Sequence, residues 1–164
     1  MKTLLPRYNT QRMVMDYLSK FYGPAQRQHQ ALADDGAAVA RTLADWKRRV
    51  RLCWPEVALR LVEAPARRLQ ADQVFRLQAA VRLAGLAVED LVIEWIAGDK
   101  TDQGEFTIAD TRLFQYQGMS DSGEALFQLE FVPETQGLQT YQLRLYPHHD
   151  NLSHRFELGL MRWI

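Results

Sequence analysis

Three histidines near the end of the chain are candidate metal ligands, because they lie close together in the sequence. His148, His149 and Asp150 stand in a row, and His154 follows shortly after them. Imidazole and carboxylate groups suit zinc and other transition metals. Their spacing matches no known site geometry, and the polar composition of the segment is typical of a loop between strands. We therefore expect no native metal site here.

Cys53 is the single cysteine and the strongest nucleophile that the sequence offers. A catalytic thiol needs a positioned histidine and a third group to orient it. Cys53 lies between Leu52 and Trp54 at a predicted helix end, which favours a buried structural thiol. The sequence has no phosphate loop and no Gly-x-Gly-x-x-Gly motif. We expect neither a catalytic nor a cofactor-binding residue in this chain.

A basic stretch before Pro55 could bind phosphate or nucleic acid. It contains Lys47, Arg48, Arg49 and Arg51. On a helix, consecutive residues point about 100° apart, so these four do not form a compact patch. We interpret them as a solvated helix face whose long side chains lie over apolar neighbours. That they meet acidic groups on a partner stays an alternative.

Four aromatic residues in the predicted strands could stack on sugar rings: Trp95, Trp163, Tyr116 and Tyr146. Aromatic packing in a core is the commoner role of such residues. The two interpretations differ in whether these side chains line one exposed face.

The overall composition indicates an ordinary globular protein. The 164 residues are 47% hydrophobic, and 20 basic residues balance 20 acidic ones. Such a chain has no net field to attract nucleic acid or an anionic membrane, and we expect neither as a partner. A single cysteine favours a reducing compartment, and no apolar run approaches the ~20 residues of a membrane span. We expect a cytoplasmic location.

The first third of the chain has a helical period. Met13, Val14, Tyr17, Leu18 and Phe21 fall on one face of a helix. The Gly23-Pro24 pair predicts that this helix stops or kinks there, because proline lacks an amide proton. A second helix is predicted from about residue 25 to 33, a stop at residues 34–36, and a third helix from about 37 to 52.

After Pro55 apolar residues recur at every second position, which is typical of strands. Seven or so short strands follow, with turns predicted at residues 98–100, 118–123 and 133–137. The predicted strands cover residues 57–62, 75–83, 91–96, 106–108, 112–116, 125–131, 141–146 and 158–163. Helices first and strands afterwards indicate an α+β fold. We predict a helical segment over residues 1–54 and an antiparallel Ig-like β-sandwich over residues 55–164.

Beyond these patterns, several stretches resemble the end of bacterial alpha-glucan (glycogen and maltodextrin) phosphorylases. Residues Pro6 to Tyr17, followed by Phe21 to Ala25, are similar to that family's Arg-Met-Val-x-Glu-Tyr helix and its Tyr-x-Pro-Ala break. Leu43 to Arg51, with Trp54-Pro55, looks like the Trp-Lys-x-Arg-Val segment that follows. Two further stretches fit a turn and the last strand of the family: Gly85 to Glu94 and Phe156 to Trp163. The sequence departs from the family at two positions. Gly23 stands where the family often has leucine or tyrosine, and Val88 stands where proline is usual.

The resemblance implies a non-catalytic C-terminal accessory module of a larger enzyme. That enzyme class uses pyridoxal phosphate to transfer glucosyl units from an α-1,4-glucan to phosphate, which gives glucose 1-phosphate. The family's cofactor lysine lies in a Gly/Ser/Thr-rich segment that nothing here matches, so no site residue carries over. The implied partner is the catalytic part of the parent, met by the face of Met13, Tyr17 and Phe21. In isolation we expect this face to cause self-association. A glucan-binding module and an oligomerisation domain are the alternatives.

Overall fold

A computed structural model describes residues 10–63, 73–100, 106–133 and 140–164. The chain divides into two compact units. The first contains the helical residues up to Arg48 together with Asn151–His154. The second contains Arg49–Asp150 and Arg155–Ile164, and it holds both β-sheets.

The helical part is more continuous than the sequence predicts. Helix α1 covers Thr10–Tyr17, a π-helical turn covers Leu18–Tyr22, and helix α2 covers Gly23–Cys53. Of the stop or kink predicted at Gly23-Pro24, the stop is wrong, since Gly23 has helical angles (φ −61°, ψ −50°) and its N–H donates to the carbonyl oxygen of Leu18. A π turn changes the hydrogen-bond step from four residues to five, and this widened turn accommodates the proline, which has no donor.

The predicted stop at residues 34–36 does not separate two helices, because α2 continues through these residues. The sequence signal nevertheless marks a real irregularity. Gly36 and Ala37 both have positive φ angles, of 61° and 63°. A glycine adopts this conformation at little cost. The Arg41 guanidinium donates a hydrogen bond to the Gly36 carbonyl oxygen at 2.7 Å in this irregular part of the helix.

Eight strands form two four-stranded antiparallel sheets in the described part of the chain. Sheet 1 has the order β1-β2-β6-β5 and sheet 2 the order β4-β3-β7-β8. The strands are β1 Ala58–Leu61, β2 Phe75–Arg82, β3 Leu91–Lys100, β4 Phe106–Leu113, β5 Gln115–Met119, β6 Ala125–Phe131, β7 Thr140–Pro147 and β8 Arg162–Trp163. The α+β class is therefore confirmed.

The strands with the clearest alternation match their predictions, and the irregular ones do not. β6 has the predicted bounds, and β2 ends one residue early. The predicted turn at residues 98–100 is wrong, since β3 continues to Lys100. Gly98 is required there because β4 passes so close that an added Cβ would lie 2.0 Å from the Thr107 carbonyl oxygen. The predicted last strand shrinks to Arg162–Trp163.

Two other turn predictions have separate outcomes. β5 continues to Met119, so the predicted turn at 118–123 begins later, where the Gly123 N–H donates to the Ser120 carbonyl oxygen at 2.9 Å. Most of the turn predicted at 133–137 lies outside the described residues.

The core of the second unit contains aromatic rings from both sheets. Trp95 of β3 lies 4.8 Å from Phe131 of β6 and 6.2 Å from Phe75 of β2, measured between ring centroids. Tyr141 of β7 packs edge-on against Phe75 at 5.9 Å. Tilted and edge-on pairs are the favoured geometries of aromatic contacts. These contacts join the two sheets.

Candidate interaction surface

A continuous exposed apolar face is the most unusual surface of the first unit. We call it the apolar helix surface and define it as Met13, Val14, Tyr17, Leu18 and Phe21. All five side chains are exposed, with Tyr17 at 52% and Phe21 at 61% of their full accessibility. The Tyr17 and Phe21 rings contact each other at 5.5 Å between centroids. A contiguous patch of this kind usually marks a contact site for another molecule.

The π turn helps to build this surface. The wider turn of a π-helix changes the angular spacing of the residues that follow Tyr17. Leu18, Phe21 and Tyr22 all belong to this turn, and all three are exposed. π turns are frequent at functional sites in proteins. The reshaped part of the apolar face therefore lies directly before the Gly23-Pro24 pair in the chain.

The polar residues of the same helix interact among themselves. The Asp16 carboxylate forms ion pairs with Lys20 at 3.6 Å and with Arg12 at 4.0 Å, and each partner lies four residues away along the helix. Exposed pairs of this type contribute little to stability, about 0.3–0.5 kcal/mol each. Their effect is to leave the apolar side of the helix without charged residues, which suits a dry contact.

The second feature is a buried charge cluster that the sequence analysis missed. Glu94 of β3 stands opposite Arg144 of β7 in the strand register and is only 2% exposed. We define the Glu94 cluster as Glu94, Arg144, Tyr146 and Arg155. Arg144 Nε donates to Glu94 Oε2 at 3.0 Å, and its Nη2 donates to the same oxygen. Tyr146 Oη and Arg155 Nη1 donate to Oε1 at 2.8 and 2.9 Å.

Aromatic rings enclose the Arg144 guanidinium. Its Cζ lies 4.5 Å from the centroid of Phe156 and 5.3 Å from that of Trp163. Burial, and then the hydrogen bond to Glu94, raise the pKa of Tyr146 to about 12. A carboxylate whose two oxygens are occupied by guanidinium and phenol donors has no free position for a substrate proton. The cluster is therefore a structural element and not an acid–base centre.

One sequence signal could have revealed this cluster. Glu94 and Arg144 are single charges inside apolar strands, in the runs LVIEWIA and QLRLYP. A charge in such a run must be paired if the strand is buried on both faces. Their pairing could not be assigned from sequence alone, because 50 residues separate them.

The structure does not bring the four candidate sugar-binding aromatics together. Trp95 and Tyr146 are buried, in the core and in the Glu94 cluster respectively. Tyr116 and Trp163 are exposed, but they lie on β5 and β8, the edge strands of different sheets. These four residues therefore provide no common platform for a sugar chain.

The remaining candidate chemistry is also dispersed. His148 Nε2 lies 3.4 Å from Asp150 Oδ1, and no group of three metal-binding side chains occurs within the described ranges. Arg48 pairs with Asp45 at 3.3 Å and Arg49 with Asp90 at 3.2 Å, so acidic groups of the chain itself meet two residues of the basic stretch. Cys53 is half-buried, which corrects the prediction of a buried thiol; it lies at the exposed end of α2 beside Leu52.

A lysine that holds pyridoxal phosphate as a Schiff base needs a desolvated pocket. The Lys20 side chain is exposed and pairs with Asp16, so it does not fit this role. Lys47 lies on α2 within the basic stretch. No helix in the described residues is both long enough and apolar enough to cross a membrane.

Comparison with known proteins gives a consistent result. Residues 54–164 match the model of a family described as the glycogen phosphorylase C-terminal domain. Glycogen phosphorylases of Mycobacterium bovis and Mycobacterium tuberculosis are 31% identical over 165 residues, which covers 98% of this chain and 19% of theirs. A maltodextrin phosphorylase of Thermococcus litoralis is 28% identical over 177 residues, or 99% of this chain and 19% of its own length. The chain thus spans about a fifth of these relatives, and it belongs to the glycogen phosphorylase C-terminal domain family.

Proposed function

We propose that this chain is the non-catalytic C-terminal accessory module of an alpha-glucan phosphorylase, and that it docks on the catalytic part through the apolar helix surface. The parent enzyme would transfer glucosyl units from an α-1,4-glucan to phosphate. Its pyridoxal phosphate would be held by residues outside this chain, since no segment of this sequence resembles the one that carries the family's cofactor lysine. A cytoplasmic location, where Cys53 stays reduced, agrees with this role.

The exposure of the apolar helix surface is the observation that carries the proposal. Five large apolar side chains lie on one face, and among the described side chains of α1 and the π turn none is buried. The hydrophobic effect makes such exposure costly unless a partner covers it. About four fifths of the relatives' length lies outside the part that this chain matches. In a parent polypeptide of that size, the remaining part would supply a partner surface at high effective concentration.

The strand order supports an Ig-like description of the second unit. In Ig domains one sheet has the order A-B-E-D, and the other is built from strands C, F and G, with C′ added in variable domains. The order β1-β2-β6-β5 with β4-β3-β7-β8 corresponds to A-B-E-D with C′-C-F-G. Such domains commonly serve as rigid platforms, which agrees with a non-catalytic role.

Oligomerisation is the second candidate, and the same surface favours it. If two copies of the parent met through the apolar helix surface, the face would be buried equally well, in an interface that is the same on both subunits. The two candidates differ in the partner. Docking within one polypeptide gives a complex of one module with one catalytic part, whereas oligomerisation joins two modules.

The test mixes this chain with the catalytic part that precedes it in its parent polypeptide and measures binding by calorimetry. We expect the wild-type chain to bind and the variant Tyr17→Ser with Phe21→Ser to lose at least tenfold in affinity, about 1.4 kcal/mol. The matched control is Ile108→Ser with Met119→Ser, because these two side chains are equally exposed but lie on β4 and β5. Equal binding of both double variants would refute the proposal.

A further inference from the structure

A row of glutamines crosses the outer face of sheet 1. In the strand register Gln128 of β6 stands opposite Gln78 of β2 on one side and Gln115 of β5 on the other. The neighbours of Gln128 along the strand, Phe127 and Leu129, are buried in the core. Because side chains alternate between the faces of a strand, the glutamines are directed to the outer face.

A groove lies at the β5 end of this row. Its volume is about 310 Å³, which is at the lower end of the ~300–1,000 Å³ of small-molecule sites. It runs from the end of β4 across β5 to β6. Its lining residues are Leu113, Gln115, Gln117, Gln128, Leu129 and Glu130.

The groove is polar and has no free charge of its own. The carboxylate of Glu130 is neutralised by Arg76, whose Nε donates to it, and it also accepts a hydrogen bond from Gln128 Nε2. An anionic ligand such as a phosphate would find no unpaired cation in this lining. The chemistry of the groove therefore favours a neutral ligand.

The glutamine amides of the groove and the leucine at its rim together suit a ligand that carries many hydroxyl groups. A glutamine side chain has one carbonyl acceptor and an NH₂ group with two donors, and a sugar hydroxyl can donate and accept at once. Gln128 uses one of its donors on Glu130 and keeps its carbonyl oxygen and the other N–H for a ligand. Leu113 is well exposed at the rim, where it can cover the C–H face of a sugar ring. Neither Trp163 nor Trp95 belongs to this groove.

We propose that the glutamine-lined groove on sheet 1 binds a neutral polyhydroxylated chain, an α-glucan. The choice of an α-glucan rests on the proposed function, but the groove shares no residue with the apolar helix surface. A module with this groove would hold a polymeric substrate near the enzyme and raise its local concentration. Binding is expected to be weak, because the groove is open and offers no aromatic ring for stacking.

The test is a titration of the whole chain with maltoheptaose, followed by ¹⁵N NMR of backbone and glutamine side-chain amides. We expect saturable shifts in residues of β5 and β6. The variant Gln117→Ala, and separately Gln128→Ala, should weaken binding about tenfold, which corresponds to the loss of one or two hydrogen bonds. Gln142→Ala is the matched control, since Gln142 is exposed on β7 of the other sheet.

Three results would overturn the proposal. The first is an unchanged spectrum at saturating maltoheptaose. The second is shifts centred on Trp163 instead of β5. The third is equal affinity of Gln117→Ala and Gln142→Ala, with both spectra showing an intact fold. Because no glucan is present in the docking experiment, failure of the groove proposal leaves that measurement unaffected, and the reverse also holds.

Discussion

The apolar helix surface and the Glu94 cluster depart from the usual distribution of side chains in opposite directions. The first exposes large apolar residues on a helix, and the second buries a carboxylate between two arginines. Most proteins bury large apolar side chains and expose carboxylates. In the cluster each oxygen of Glu94 has hydrogen-bond donors within the chain. On the helix, by contrast, the described residues provide no cover.

This difference separates a structural feature from a functional one. A buried charge with a full set of partners is complete within its own unit and has no need of another molecule. An exposed apolar face is incomplete, and its cost is removed only by contact with a partner. We therefore expect substitutions in the cluster to change stability, and substitutions on the helix surface to change association.

The largest effect is expected when one partner of the buried pair is removed. Arg144→Ala should lower the free energy of unfolding by about 3 kcal/mol or more, because it leaves the Glu94 carboxylate buried with fewer donors. Urea denaturation measures the change. The matched control is Arg76→Ala, which breaks the exposed pair with Glu130 and should cost no more than about 1 kcal/mol.

A double substitution sharpens this prediction. Glu94→Leu combined with Arg144→Leu removes both charges, so the double variant should recover most of the stability that Arg144→Ala loses. If Arg144→Ala costs no more than Arg76→Ala, the cluster does not stabilise the sheet.

A smaller effect is expected for Tyr146→Phe, which removes one donor to Glu94. At pH 9 we expect a loss of about 1 kcal/mol, because Arg155 still donates to the same oxygen. The folded state holds the Tyr146 proton up to a pKa of about 12, whereas the unfolded chain releases it near 10. The stability that this raised pKa contributes is present below pH 10 and is lost as the pH rises to 12.

The variant therefore has a distinct signature against pH. The stability of the wild-type chain should fall to that of Tyr146→Phe, and then below it, between pH 10 and 12, as measured by urea denaturation at several pH values. Burial also raises the pKa of Tyr141, but that residue is present in both proteins, so its effect cancels in the difference. A difference that stays constant from pH 9 to 12 would contradict this account.

The smallest effect on stability is expected on the apolar helix surface. Tyr17→Ser with Phe21→Ser should change the free energy of unfolding of the isolated chain by less than about 1 kcal/mol in total, since both side chains are already in water. The same variant should abolish self-association of the isolated chain in a dilution series by analytical ultracentrifugation. A wild-type chain that is monomeric at every concentration would count against this surface as an association site.

Local periodicity explains which elements could be predicted. The alternation in residues 75–83 and 125–131 marks β2 and β6 nearly to the residue, and the helical period marks the face that includes Tyr17. These signals need only the neighbours in sequence. The π turn at Leu18–Tyr22 was not predicted, because Pro24 equally predicts a helix stop, whereas the backbone passes through Gly23 with helical angles.

Four features follow from the order of the residues alone: the α+β order, the clearest strands, the apolar face of the first helix and the family resemblance. The tertiary structure decided which residues meet: Glu94 with Arg144, and Gln128 with Gln78 and Gln115. It also decided that Trp95 and Tyr146 are buried while Tyr116 and Trp163 are not. The physical reason is that periodicity is local, whereas strand register joins residues far apart in the chain, and a one-residue slip would change every such pair.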